Sequence, residues 1–272
     1  MLEIFQYSFM IRAFIAGILV GIIAPIVGTF LVSRRYSLIA DSLSHVALSG
    51  VAIGLITKTY PVYAALAVTV SAAIAIEKLR VSKRISGESA LAIFLSGGLA
   101  LSVVLIGLAG GFNVDLFSYL FGSITTVRSQ DLWIILALGI IVIGLLYSLY
   151  KELFYISFDE EAARVSGVPT DFLNTLLVIL TAVTIVLSMR IVGVLLIGAL
   201  MVIPTITAAQ IAKSFKQVIF ISLILSLTAV ISGLFFAYYL NVPAGGSIVV
   251  IALTFFLFAM IISSQTVRAF FK

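Results

Sequence analysis

The sequence predicts an all-α polytopic membrane protein with eight or nine transmembrane helices in a single domain over residues 1–272. Three observations carry that reading. Hydrophobic residues make up 62% of the chain and charged residues only 10%, where a soluble domain carries about a quarter charged residues. Mean hydropathy is +1.30. Apolar runs of about 17–25 residues recur along the whole length, the length a helix needs to cross a bilayer. Barrel strands would be shorter and would alternate polar with apolar residues, a pattern this chain lacks.

The expected spans follow in order. The lead MLEIFQYSFM has no basic stretch and no small-residue cleavage site, so a cleaved signal peptide is not expected. The first span, 11–33, stops at Arg34 and Arg35. The second, 38–57, is rich in serine and glycine and stops at Lys58. The third, 61–77, opens on Pro61 and ends in a basic run, and the fourth is 89–110. Residues 113–131 are amphipathic and too polar to span, so an interfacial helix and turn are expected there. Spans follow at 132–150, 171–188, 191–211, 218–240 and 246–265. The spacings Gly17-xxx-Gly21 and Gly50-xxx-Gly54 suit close approach of helices. The longest polar stretches, about 20 residues, are too short for a separate soluble core.

Basic residues alternate between the gaps. Arg34, Arg35, Lys78, Arg80, Lys83, Arg84, Lys151, Arg164, Lys213, Lys216, Arg268 and Lys272 share one side if all nine segments span; Arg12, Lys58, Arg128 and Arg190 share the other. The basic side is the cytoplasmic one by the positive-inside rule, which puts the C-terminus inside and the N-terminus outside. The net charge of +5 is therefore a topology signal, and no nucleic-acid partner is expected. The chain has no cysteine, which removes disulfide and thiolate chemistry.

The only histidine, His45, stands four residues after Asp41. Four residues is just over one helical turn, so imidazole and carboxylate share a helix face. An ionised aspartate in a spanning helix costs about 2.5–3.5 kcal/mol, against the 0.3–0.6 kcal/mol a typical apolar residue returns. A cavity, a partner or a ligand usually meets that cost. Three readings stay open: Asp41 as the N-cap of a helix starting at Ser42, the pair as a proton relay, or a metal site. Imidazole and carboxylate suit Zn²⁺ and accept Mn²⁺. Two ligands are too few to close a site, and a homodimer with this helix on its two-fold axis would double them.

Two other stretches stand out. Residues 155–170, YISFDEEAARVSGVPT, place Asp159, Glu160 and Glu161 at the start of a short helix and Arg164 towards its end, both favourable to the helix dipole. Gly167 caps it and Pro169 prevents continuation, an arrangement suited to docking a cytoplasmic partner or, more plainly, to an ordinary charged loop. In 191–211, Gly193, Gly198 and Pro204 interrupt the apolar run; a proline there frees carbonyls that must face protein or a water-filled cavity. This span is expected to line a translocation route. No Gly-Lys dipeptide occurs, so no Walker A loop exists, and a single histidine excludes an H-E-x-x-H zinc site. The chain reads as a conduit rather than an enzyme.

At RRYSLIADSLSHVALSGVA, DEEAARVSGV and GVLLIGALMVIPTITA the chain resembles the permease subunit of bacterial zinc/manganese ATP-binding-cassette importers, and through them the cobalamin and siderophore (type II) importer fold. The resemblance implies that Asp41 and His45 handle the metal in transit. It implies a coupling helix at about 158–168, comprising Asp159, Glu160, Glu161, Ala162, Arg164 and Gly167. It further implies a homodimer in the cytoplasmic membrane, two ATPase subunits that bind the ATP, an extracytoplasmic metal-binding protein, and no tightly bound cofactor. Its lean is to Zn²⁺: HVALSGVA resembles the zinc branch, manganese permeases showing a proline there, and nitrogen ligands favour zinc. Outside that class, a proton-coupled carrier and a structural scaffold remain as rivals.

Overall fold

The structure, a computed structural model, describes residues 2–82, 85–108, 111 and 114–270, with side chains described over 4–82, 85–108, 111 and 116–262. Lys83, Arg84 and Lys272 of the expected basic clusters lie outside the described residues, as does the side chain of Arg268. A short 3₁₀ turn (Leu2–Gln6) precedes twelve helices: α1 (Ser8–Ser33), α2 (Ser37–Ile56), α3 (Pro61–Val81), α4 (Gly87–Leu108), α5 (Val114–Phe121), α6 (Ser129–Ser148), α7 (Tyr150–Phe158), α8 (Glu160–Val165), α9 (Thr170–Ser188), α10 (Ile197–Ile211), α11 (Phe215–Leu240) and α12 (Ala244–Phe270). Among the described residues all regular structure is helical.

Local chemistry explains the boundaries. Pro61 starts α3 where its missing N–H costs nothing. Asp131 accepts the backbone N–H of Arg128 (2.8 Å) at the start of α6. Ser214 Oγ accepts from Gln217 N (3.3 Å) at the start of α11, and the Gln217 side chain accepts from Lys213 N (2.8 Å). Asn241, at φ 54°, ends α11 in the left-handed conformation that asparagine tolerates.

Eight helices are long and apolar enough to cross a membrane, and α10 is a shorter apolar helix. Helices α1, α2, α9 and α10 form the centre. α3 and α4 flank α2; α11 and α12 flank α1 and α10; α6 lies over α1 and α9. The outer helices turn large side chains such as Leu108, Trp133 and Phe258 outward, the arrangement that suits a hydrocarbon solvent. Both glycine pairs do pack between helices. A Cβ on Gly50 or Gly54 would come within 2.5–2.7 Å of the α3 backbone, whereas Gly17 and Gly21 meet side chains only, mostly of α11.

The expected span 191–211 is helical only from Ile197. Its 15 residues reach about 22 Å, short of the roughly 30 Å hydrocarbon core. The remainder is an irregular segment, 189–196, whose backbone is satisfied in part by the last turn of α5 and the chain just after it. Val194 N donates to Tyr119 O (2.8 Å), Leu195 N to Leu120 O (3.3 Å), and Ser123 N to Arg190 O (3.1 Å). Non-helical backbone is tolerated at membrane depth only when protein buries it, and Met189 through Val194 are all buried. Gly122 and Gly193 have φ of +73° and +88°, and a Cβ on either would lie 2.0–2.4 Å from a carbonyl of the opposite segment. Gly122→Ala is expected to cost about 2–4 kcal/mol, read as a clear drop in the melting temperature of the detergent-solubilised protein. An unchanged melt would refute this account of the seam.

The amphipathic stretch after α4 holds no span: α5 is a short helix followed by irregular chain, and residues 129–131, expected in the turn, already belong to α6. At one end of the bundle meet the α1–α2 turn, the end of α3, α8 and the start of α9. At the other meet the α2–α3 turn, the start of α6 and the seam at 189–196.

Candidate functional site

Helix α2 is among the more polar of the spans and is the most buried of them. Its serines explain part of that combination. Ser42 Oγ bonds Leu38 O and, across to α4, Leu91 O (both 3.0 Å); Ser49 Oγ donates to Gly98 O of α4 (2.8 Å); Ser44 Oγ donates to Ala40 O (2.7 Å). Gly98 lets α4 approach so closely that a Cβ there would stand 2.9 Å from Val46 N. Ser42, Ser44 and Ser49 are thus spent on backbone carbonyls, and Asp41 and His45 are the ionisable groups of this helix.

The helix starts at Ser37, after Tyr36, so Asp41 lies in its second turn and caps nothing. The N-cap reading of Asp41 is therefore corrected. The chain turns through Arg35, at φ 58°, several residues earlier than that reading requires. Asp41 and His45 rise about 6 and 12 Å above the start of α2. Asp41 is exposed on the surface of the single chain and His45 is half-buried. His45 Nδ1 is buried and has no hydrogen-bond partner. A carboxylate and an unpartnered imidazole nitrogen one turn apart are suitable donors for a divalent ion. No group of three or more His, Asp or Glu side chains able to hold a metal exists among the described residues.

The three residues expected to line a route fall in different places. Gly198, in the first turn of α10, sits directly against the pair: a Cβ there would lie 2.2 Å from Asp41 Oδ1. Gly193 belongs to the backbone seam described above. Pro204 is buried where α10 crosses α1, with Thr205 Oγ1 donating to Met201 O (3.0 Å) and reaching Pro25 O (3.5 Å). The structure brings only Gly198 to Asp41. Gly198→Ala would claim the volume the carboxylate occupies; in a metal importer of the kind the sequence resembles it is expected to lower metal uptake at least tenfold, as misplacing a group by about 1 Å does. Wild-type uptake by that variant would show that the carboxylate sits elsewhere when the site works.

At the opposite pole of the sequence pattern stands α8. Asp159 caps it, accepting Ala162 N (2.9 Å). Gly167, at φ +83°, ends it, with Val168 N bonded to Ala163 O (3.0 Å). Its six residues have two faces. Ala163 is buried, and Glu160 turns inward to Arg34 (2.7 Å) and Asn174 Nδ2 (2.9 Å). Glu161, Val165 and the preceding Phe158 face outward, Val165 being 89% exposed. Arg164 donates to Thr170 Oγ1 (3.1 Å) and Asp171 Oδ1 (2.6 Å). Glu160, Glu161, Arg164, Val165 and Asp171 line an open cleft of about 650 Å³ with Arg80. Beside it, burial raises the Tyr36 phenol, partly offset by Arg80 and Arg34, so the ring stays protonated.

Sequence reasoning missed a second polar centre at the other end. Asp131 and Arg190 are both buried, with Arg190 Nε 3.5 Å from Asp131 Oδ2. Tyr60 donates its hydroxyl to Asp131, and Arg190 Nη1 donates to Thr126 O (3.0 Å). The Arg190 guanidinium also stacks on the rings of Tyr119 (4.6 Å) and Tyr60 (5.7 Å). Burial, and then the bond to Asp131, push the Tyr60 phenol well above its usual range. The available signal was one acid and one base, each at an edge of an apolar run on the same expected side.

The model of the ABC 3 transport family matches residues 6–263. The chain belongs to the ABC 3 transport family. Among its relatives is the manganese import system permease protein ScaB of Streptococcus gordonii, 35% identical over 260 residues that cover 96% of this chain and 93% of ScaB. The solved structure of PsaBC from Streptococcus pneumoniae in complex with Fab superposes with a TM-score of 0.85 at 38% identity, covering 95% of this chain and 92% of the other. An inward-facing metal-chelate type ABC transporter, at 18% identity, shares the fold, with a TM-score of 0.68 over 92% of this chain and 85% of its own. The all-α permease fold expected from the sequence is the one observed in this ABC 3 family member.

Proposed function

We propose that this family member is the permease subunit of an ATP-driven importer of a divalent metal ion, with Asp41 and His45 as the ligands that hold the ion in transit. The observation that carries the reading is an exposed carboxylate and an unpartnered imidazole nitrogen, one turn apart on the most buried spanning helix. An exposed carboxylate flanked by exposed Leu38 is costly against lipid. A second copy of the chain would cover it and contribute two more ligands. Two carboxylates and two imidazoles, with waters, suit an ion that must be released as well as bound.

In the same reading, α8 docks on one of two ATPase subunits that bind the nucleotide, and an extracytoplasmic binding protein delivers the metal. The protein sits in the cytoplasmic membrane with the α8 end and the C-terminus inside. Family membership favours ATP over a proton gradient as the driving force.

Manganese is the cargo we assign. The relative's name points to it, while the case for zinc rested on a short similarity after His45 and on a general preference of nitrogen ligands. Cells lacking their own manganese and zinc importers, given this permease with its ATPase and binding protein, are expected to regain growth on limiting Mn²⁺ and to take up labelled manganese. Rescue by Zn²⁺ alone would reverse the assignment; rescue by neither ion would overturn the metal reading.

A further inference from the structure

We infer that Arg34 is the positioning residue through which α8 and the metal-bearing helix α2 move together. The inference rests on the reading of α8 as the ATPase-docking helix. Arg34 terminates α1, three residues before α2 begins. Its side chain is only 3% exposed and spends its donors on two elements at once: Glu160, the first residue of α8, at 2.7 Å, and Asn174 of α9. Asn174 in turn donates to the other oxygen of Glu160 (2.9 Å). Arginine, asparagine and glutamate therefore close a three-membered ring in which every side chain bonds both others.

The same guanidinium lies over the ring of Tyr36 (5.0 Å), the residue from which α2 departs. A second contact comes from Arg80 at the end of α3 (4.8 Å to the Tyr36 ring), itself held by two bonds to buried Glu77 (2.9 and 2.6 Å). Tyr36 is thus held by two guanidinium groups, and the turn before it is tied by backbone bonds: Tyr36 N bonds Leu31 O (2.8 Å) and Arg35 N bonds Val32 O (3.0 Å). A displacement of Glu160 must shift Arg34 or break a buried charge-assisted bond. A shift of Arg34 carries Tyr36, and with it the first turns of α2 that bear Asp41. Lysine cannot replace this function, because one ammonium cannot serve Glu160 and Asn174 while stacking on Tyr36.

The test uses the full complex of permease, ATPase and binding protein in lipid nanodiscs or vesicles. ATPase co-purification, ATP hydrolysis and Mn²⁺ transport are read together. Arg34→Lys and Glu160→Gln are expected to retain the ATPase subunit while metal moved per ATP falls roughly tenfold, the scale on which residues linking two sites change their coupling. The exchange Arg34→Glu with Glu160→Arg is expected to recover part of that ratio, which a residue important only for folding would not do. An unchanged ratio in both single variants overturns the inference. The underlying reading fails separately: Val165→Asp, on the outward face of α8 and outside the ring, should release the ATPase subunit, and its retention would show that α8 is not the docking helix.

Discussion

Replacing Asp41 or His45 by alanine is expected to reduce metal uptake by at least a hundred-fold while the permease still assembles with its ATPase subunit. In the proposed reading these two are the ligands each chain contributes, and loss even of a residue that merely orients a ligand costs about 10–100-fold. Assembly should survive because neither side chain holds the fold. Asp41 is exposed, and His45 Nδ1 has no partner to lose. The structural bonds of α2 run instead through Ser42, Ser44 and Ser49. Uptake of labelled manganese together with co-purification from membranes checks both halves. Wild-type uptake in either variant would remove that residue from the pathway, and loss of assembly would mean that the pair is structural.

Arg190→Ala is expected to be the most destabilising single change outside that site. It leaves Asp131 buried with its countercharge gone, a defect that costs about 3–5 kcal/mol when one partner of a buried pair is removed. Three elements lose their junction together, because Arg190 also bonds Thr126 O, faces Tyr60 and Tyr119, and stands at the start of the irregular segment before α10. The double change Arg190→Ala with Asp131→Asn should recover part of the loss, since no charge is then stranded. Thermal melts of the solubilised protein across the four combinations give the coupling directly. Strictly additive effects would show that the 3.5 Å approach of these two groups contributes nothing.

The expected and observed helices agree closely at the Arg34–Arg35 and Lys58–Pro61 turns and at the short α8 segment. They part at 191–211. There residues 191–203 are uninterruptedly apolar, yet the helix begins only at Ile197, because the preceding backbone hydrogen-bonds to residues 119–123. Nothing local to 189–196 announces a partner some seventy residues away. Gly193 and Gly198 look alike in sequence for the same reason, although one closes a backbone seam and the other makes room for Asp41.

Glu160 shows the same limit. In sequence it is one of three adjacent acids at a helix start, all equally suited to the dipole. The fold separates them: Asp159 caps, Glu161 faces outward, and Glu160 turns to Arg34 and Asn174.

Composition, the alternation of basic gaps and the Asp41–His45 spacing were enough to establish a helical membrane protein with one metal-capable pair. Those properties depend on residue type and on distance along a single helix, and both are local. Which glycine touches Asp41, which acid anchors α8, and how Asp131 finds Arg190 required the folded chain. Each is a contact between segments far apart in sequence, set by which backbone groups the bundle must bury and satisfy. A single helix carries the chemistry of the pair, while the packing of several decides where that chemistry sits and what can move it.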